Sequence, residues 1–310
     1  MTTPSRRLAA ILGSLSLLLV ACSSSGGATT APTGAATTPG ATTVVTAAPA
    51  TEAPPVAGGL LDKVMKAGKL VVSTDPNYQP QSFLKPDGTF EGFDIDVANE
   101  IGKRLGVKVE FATPSWDVIT AGSWAGRWDV SVGSMTITTS RQDVLAFTSA
   151  YYYTPAQMTA TTKSGITTLE GLAGKTVCAG TATTYVDWMK GQLTSVSLGP
   201  VATPPAGIKV KELPTDQECA QAITAGQNVG EGFLSSSTTV DAAIENGTPI
   251  IKVGDPVFVE QLAASADKSG PDPTDFIAKV SKIIDDMHAD GTLTAMSMKW
   301  FKADLTQTPT

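Results

Sequence analysis

GFDIDVANEIGKRLGVKVEF, Gly92 to Phe111, decides how the rest of the chain reads. Phe93, Val97, Ile101 and Leu105 recur every four residues, with Ala98 beside them, and so form one apolar helical face. Lys103 and Arg104 fall in the last turn and Gly106 closes it. Val107–Phe111 then reads as a strand. Asp94 and Asp96 crowd the first turn. Two carboxylates there suit either acid–base chemistry or the start of a helix, where they meet free N–H groups and the positive end of the dipole. Catalysis needs burial to raise a carboxylate pKa, whereas a helix N-terminus lowers it, so the pair is expected to be structural.

Working outward, short apolar runs are expected as strands at Leu70–Ser73, Asp129–Val132, Thr176–Ala179, Ile208–Lys211, Glu231–Leu234 and Ile250–Val253. Helical spacing is expected over Trp116–Ala125, Thr183–Lys190, Asp216–Ala225, Thr239–Asn246, Asp275–His288 and Leu293–Phe301. Strands alternating with helices predict an α/β protein with mostly parallel sheets. The loop 198–207, rich in Pro and Gly, reads as an excursion.

The N-terminal end has a different composition. Arg6 and Arg7 precede an apolar run of 13 residues, Leu8–Val20, too short to span a bilayer and right for the apolar part of a signal peptide. Ala9 and Ala10 stand where twin-arginine export wants a bulky apolar residue, so ordinary secretion is expected. The run ends in Leu19-Val20-Ala21-Cys22, which resembles the lipobox of bacterial lipoproteins; residues 1–21 would be removed and Cys22 acylated. Ser23–Gly58 is almost all Ala, Thr, Pro, Gly and Ser, with Glu52 as its one charge, and has too little apolar surface to order itself. It reads as a flexible tether reaching about 35 Å.

From Gly59 on, about 250 residues remain, enough for one large α/β domain or two lobes. The formal charge is −7, and losing Arg6 and Arg7 lowers Lys+Arg from 22 to 20, leaving the mature chain near −9. Such a chain, without basic runs, suits neither nucleic acid nor an anionic lipid surface. Of three cysteines, a lipidated Cys22 leaves Cys178 and Cys219, which compartment and parity pair as a disulfide. The single histidine, His288, argues against a metal centre or a Ser-His-Asp triad and reads as a solvated helix residue. No metal or cofactor is expected. Trp124 and Trp128 are left to the core or the surface.

Gly92-Phe93-Asp94-Ile95-Asp96-Val97, with Ile101, Gly102 and Leu105, resembles the signature of bacterial extracellular solute-binding proteins of family 3, the polar amino-acid receptors of ABC importers. The resemblance continues in order through KLVVSTDPNYQPQSF, PSWDV, GRWDVSVGSMTITTSRQDVLAFTSAYYY, GLAGKTVCAGTATTYVDW and HADGTLTAMSMKWF, so that it runs from about Leu60 to Phe301. It implies a two-lobed periplasmic-binding-protein fold of type II with ligand in the cleft. The first lobe would span 59–154 and resume at 263–303, the second would span 155–262, and 304–310 would be a tail. Two strands would cross between the lobes, near Tyr153 and near Val257–Ala263. It also implies that Asp-x-Asp begins a structural helix.

Site residues follow from the same resemblance. Arg141 matches the arginine that grips a ligand α-carboxylate, a planar anion that suits a guanidinium fork. Ser134 and Thr136 match ligand-contacting positions. Thr181, Ala182 and Thr183 match a turn whose N–H groups help hold the carboxylate. Tyr78 and Trp116 match aromatic walls, and Asp75 matches a position near the ligand side chain or amine, although it equally caps a turn before Pro76. One position departs from the pattern: relatives place an aspartate for the ligand ammonium where Ser235 falls here, which leaves Asp75 or Glu231 as alternatives. The implied function is an extracytoplasmic receptor for an amino acid or related small carboxylate, monomeric, lipid-anchored and partnered with an ABC permease. An extracytoplasmic dehydratase-like enzyme on the same fold and a ligand sensor for a membrane partner are the alternatives.

Overall fold

A computed structural model describes residues 55–194 and 198–309. The expected leader, the Cys22 anchor and nearly all of the tether lie outside the described residues. In chain order, helix α1 (Leu60–Ala67) leads to strand β1 (Lys69–Ser73) and to a small antiparallel sheet of β2 (Asn77–Tyr78), β3 (Ser82–Leu84) and β4 (Phe90–Glu91). Then come α2 (Phe93–Leu105), β5 (Lys108–Ala112), α3 (Trp116–Thr120), β6 (Val130–Thr136), α4 (Thr139–Val144) and the long strand β7 (Leu145–Thr161). The second run is β8 (Thr176–Gly180), α5 (Thr184–Met189), β9 (Lys209–Leu213), α6 (Asp216–Thr224), β10 (Leu234–Ser236), α7 (Ser237–Glu245) and β11 (Ile250–Lys252). A second long strand, β12 (Phe258–Asp267), precedes α8 (Thr274–Ala289) and α9 (Thr292–Phe301).

The strand order β10-β7-β12-β6-β1-β5 places the two long strands side by side and antiparallel in the middle of the main sheet. β1 pairs in parallel with both β5 and β6, and β8 with β9, as strand–helix alternation predicts. The antiparallel pairs of β12 with β6 and β7, and of β10 and β11 with β7, come from the two long strands running in opposite directions. One core gathers α2, β1, β6 and α8 around Phe93, Val97, Ile101, Leu70, Val132 and Phe276. Burying each such side chain contributes about 1.5–3 kcal/mol. A second core joins Met158, Val177, Val186, Trp188 and Phe258, and a third surrounds Cys178, Cys219 and Phe233. The Trp124 and Trp128 rings meet tilted at 36°, with centres 5.2 Å apart, in a separate buried cluster and are core residues.

Four local differences from expectation have physical causes. α3 stops at Thr120, five residues early, because Gly122, Ser123 and Ala125 adopt left-handed backbone while Asp267 accepts the Ser123 and Trp124 N–H groups. The strand expected at Glu231–Leu234 begins at Leu234, yet Glu231–Phe233 is hydrogen-bonded to Thr176 and Cys178 on one side and to Thr159 and Thr161 on the other. That squeeze demands Gly232, whose added Cβ would lie 2.0 Å from the Thr159 carbonyl oxygen. His288 is half-buried, its Nε2 lying 2.9 Å from the Ala150 carbonyl oxygen, so it is not a solvated helix residue. The chain after α9 is also held: Tyr153 N–H donates to the Leu305 carbonyl, and Leu305 N–H to Ser297 Oγ.

Cys178 on β8 and Cys219 in α6 form a disulfide with Cα atoms 5.8 Å apart, as parity and compartment predict. Closing a loop of that separation, 41 residues, is worth about 4 kcal/mol on chain entropy.

Candidate functional site

The opening segment gives the site its floor. Gly92, before α2, has φ of 134°, and a Cβ there would lie 2.1 Å from the Gln81 carbonyl oxygen. The helix therefore starts pressed against the small sheet. Asp94 turns inward rather than capping its own helix: Oδ1 accepts from the Tyr151 hydroxyl at 2.8 Å and Oδ2 from Ser134 Oγ at 2.8 Å. Burial raises its pKa to about 7 against the pull of those hydroxyls. Asp96 accepts instead from Lys299 Nζ at 2.7 Å and Trp300 Nε1 at 2.6 Å. The pair is structural as expected, but the expected lowering of pKa by the helix terminus fails at Asp94, because desolvation outweighs the dipole.

Above this floor lies a cleft of about 480 Å³, part of it open to solvent. Asp75, Tyr78, Trp116, Ser134, Thr136 and Arg141 line one side, and Thr183 the other, so most of the expected site residues meet. Thr181, Ala182 and Ser235 do not line it. Glu231 is also outside; its N–H and carbonyl are tied to Thr176 and Thr161.

Arg141 is positioned by α4, whose N-cap Thr138 accepts its N–H through Oγ1 at 3.1 Å. Its side chain is only 7 % exposed. Nη1 donates to the Thr136 carbonyl at 2.9 Å and Nη2 to the Ala182 carbonyl at 3.0 Å, two of the five N–H donors of a guanidinium. The Trp116 ring centre lies 5.4 Å from Arg141 Cζ, and Trp116 Nε1 donates to the same Ala182 carbonyl at 3.2 Å. The 181–183 turn thus meets Arg141 through a carbonyl oxygen, while Thr181 Oγ1 turns away to Glu212 and Thr183 Oγ1 caps α5. Burial pulls the guanidinium pKa below its ordinary value, and nearby Glu260 opposes this.

Glu260, on β12, escapes the sequence reading. It is buried in the cleft wall, with Oε1 accepting from Thr136 Oγ1 at 2.6 Å and Thr184 Oγ1 at 2.7 Å, and Oε2 from the Tyr185 hydroxyl at 2.8 Å. Burial raises its pKa, opposed by those hydroxyls and by Arg141.

Asp216, the first residue of α6, also escapes it. It lines the cleft at 4 % exposure; Oδ1 accepts the Gly180 N–H, and Oδ2 accepts from Ser235 Oγ at 3.1 Å. Burial pushes its pKa up to about 7, and the charges of Glu260 and Asp75 push the same way. Asp75 is half-buried, its Oδ1 accepting the Asn77 N–H at 2.7 Å, with its pKa also raised by burial. Neither Asp75 nor Asp216 forms an ion pair among the described residues. Among those residues no cluster of His, Cys, Asp and Glu suits a metal ion.

Neutral groups also join the two sides beside the cleft, Gln81 and Ser236 being fully buried. Tyr78 OH donates to Ser236 Oγ at 3.2 Å, and Gln81 Nε2 to Ser236 Oγ at 3.1 Å and Thr238 Oγ1 at 2.7 Å. Gln221 Nε2 donates to Asn77 Oδ1 at 3.3 Å.

The sequence that builds this cleft, between two cores spanned by two antiparallel strands, matches a family model. The model of bacterial extracellular solute-binding proteins, family 3, matches residues 70–303. The chain belongs to this family. The family 3 fold is the type II periplasmic-binding fold of its structural neighbours. Among curated relatives, the L-cystine-binding protein TcyJ of Escherichia coli (strain K12) is 29% identical over 253 residues, covering 80% of this chain and 88% of that protein. An ancestral arginine-binding protein solved with arginine is 28% identical, with a TM-score of 0.65, covering 76% of this chain and 98% of its own. The ancestral amino acid-binding protein AncCDT-1, a precursor of cyclohexadienyl dehydratase, is 26% identical, with a TM-score of 0.66 and coverage of 78% and 99%. Among the described residues of this family 3 protein, no helix is long and apolar enough to cross a membrane.

Proposed function

We propose that this family 3 protein is the extracytoplasmic receptor of an ABC importer, and that it holds an amino acid or related small carboxylate in the cleft. The observation that carries this reading is Arg141. Its guanidinium is buried at the cleft, and among the described residues no carboxylate forms an ion pair with it. Such a group is set to receive an anion from outside, and its planar fork suits a carboxylate. Asp75 and Asp216 supply negative charge for a protonated nitrogen, so the cleft complements a molecule carrying both groups. Tyr78 and Trp116 form its apolar walls.

In this reading residues 59–154 and 263–303 form one lobe and 155–262 the other. β7 and β12 are the hinge crossings, and closure presents a surface to the permease. The receptor works as a monomer, held to the outer face of the membrane by lipid on Cys22. Mass spectrometry of small molecules released from the purified protein, followed by calorimetry with those molecules, tests the ligand class. Release of no carboxylate, together with no binding of any amino acid, would sink it. Membrane fractionation of Cys22→Ala tests the anchor: the variant is expected in the soluble fraction or with its leader uncleaved.

A second reading rests on Glu260 and Asp216, two buried carboxylates in the cleft wall whose pKa values burial raises, the direction that suits a general acid. Incubation with prephenate separates the two readings, because the receptor is expected to release no product.

A further inference from the structure

The carboxylate-gripping end of the cleft is read from Arg141; the other end has several contenders. We propose that Asp216, seated by the Ser235 hydroxyl and the Gly180 N–H, receives the ligand's protonated amine, and that Ser235 acts on the ligand only through Asp216. This rests on the reading of the protein as an amino-acid receptor.

Each contender is decided by its surroundings. Ser235 is fully buried behind the wall and donates its hydroxyl proton to Asp216, so it has neither charge nor access. Glu231 lies outside the cleft, its backbone held between strands. Glu260 faces the cleft, but three hydroxyls and the nearby Arg141 already answer its charge. Asp75 faces the cleft from the connection between β1 and β2, half-buried, with one oxygen drawn to its own Asn77 N–H.

Asp216 differs from all of these. The backbone at the end of β8 and a hydroxyl on β10 fix its carboxylate from behind, one donor to each oxygen. A carboxylate oxygen accepts two hydrogen bonds, so each keeps an acceptor site. No cation answers its charge among the described residues, although it is 4 % exposed. A buried carboxylate so held, in the wall of a cleft with a guanidinium, completes the site for a zwitterion. The disulfide from Cys178 to Cys219 ties β8 to α6, the elements supplying the Gly180 donor and Asp216 itself.

Calorimetry on the full folded chain tests this with L-arginine, L-glutamine, L-histidine and L-cystine. The tightest binder is then paired with its des-amino acid, for example 5-guanidinopentanoic acid for L-arginine. The parent is expected to prefer the amino acid at least tenfold. In Asp216→Asn that preference should fall below about threefold, while affinity for the des-amino acid changes by less than about threefold. Undiminished preference in Asp216→Asn overturns the proposal, as does loss of preference in Asp75→Asn alone. Should Asp216→Asn fail to fold, Ser235→Ala decides: it keeps the carboxylate and removes one seat, so preference should drop at least threefold, and an unchanged value overturns the assignment. If no amino acid binds the parent, the receptor reading itself fails and the proposal falls with it, a result distinct from retained preference.

Discussion

Asp94 lies in the first turn of α2 and Asp216 in the first turn of α6. Both are buried, both accept a serine hydroxyl, and burial raises both pKa values to about 7. They differ in what lies in front of them. Asp94 is enclosed by the Tyr151 and Ser134 hydroxyls and the aromatic core of Phe93, whereas Asp216 faces the cleft. A perturbed carboxylate is therefore no marker of a site by itself; access to the cleft decides.

Removing the staple beside one aspartate should separate the pair most strongly. Replacing Cys178 and Cys219 together by Ala is expected to cost about 4 kcal/mol, measured by urea unfolding. The loss should loosen β8 against α6 and so weaken amine selectivity, leaving the Asp94 network alone. Unchanged stability would mean that the pair does not constrain the chain. Next in size, Asp94→Ala leaves the Tyr151 and Ser134 hydroxyls without their acceptor in the core, at a cost of about 3 kcal/mol. Ligand affinity of the folded fraction should stay within about threefold; a larger loss would move Asp94 from core to site.

Arg141→Ala should weaken ligand binding at least tenfold, about 1.4 kcal/mol, with an unfolding midpoint close to the parent's. Undiminished affinity would displace the site. The last comparison uses pH. Each aspartate is protonated more readily in the folded than the unfolded chain, so its stabilising contribution is full below the ordinary value of 3.8 and is lost as pH rises through about 7. A bound ammonium favours the ionised form of Asp216 only. Ligand should therefore bind about tenfold more weakly at pH 6 than at pH 8 and flatten one part of the stability profile, leaving the Asp94 part unaltered. Glu260, Asp75, Tyr78 and Tyr185 share the field around Asp216, so the profile should be repeated in Asp216→Asn, where the slope in affinity should vanish.

The helix at Phe93–Leu105 was legible because a four-residue apolar repeat leaves one way to bury it. Arg141, Tyr78 and Trp116 were legible through family resemblance rather than through spacing. Asp216 was hidden by its neighbours: Thr215-Asp216-Gln217-Glu218 reads as an ordinary capping sequence, and Thr215 does cap α6 by accepting the Glu218 N–H. Glu260 sits among the apolar residues of a strand, and its partners Thr136, Thr184 and Tyr185 lie far away in sequence. Nothing local announces that meeting. Gly122, left-handed at φ 69°, is a helix-closing glycine legible in the sequence, whereas the left-handed Ser123 and Ala125 beyond it are non-glycine residues that composition does not flag.

The contacts of Tyr78, Gln81 and Gln221 beside the cleft are all between neutral groups. Water replaces such a bond at a net loss of only about 0.5–1.5 kcal/mol, whereas the bond from the Arg141 guanidinium to the Ala182 carbonyl involves an ion and is worth more. In the proposed receptor the charged bond from Arg141 to the Ala182 carbonyl is therefore the link across the cleft that costs most to part. Under the proposed function, a bound carboxylate would add its own charge-assisted bonds to Arg141 and so favour the shut state.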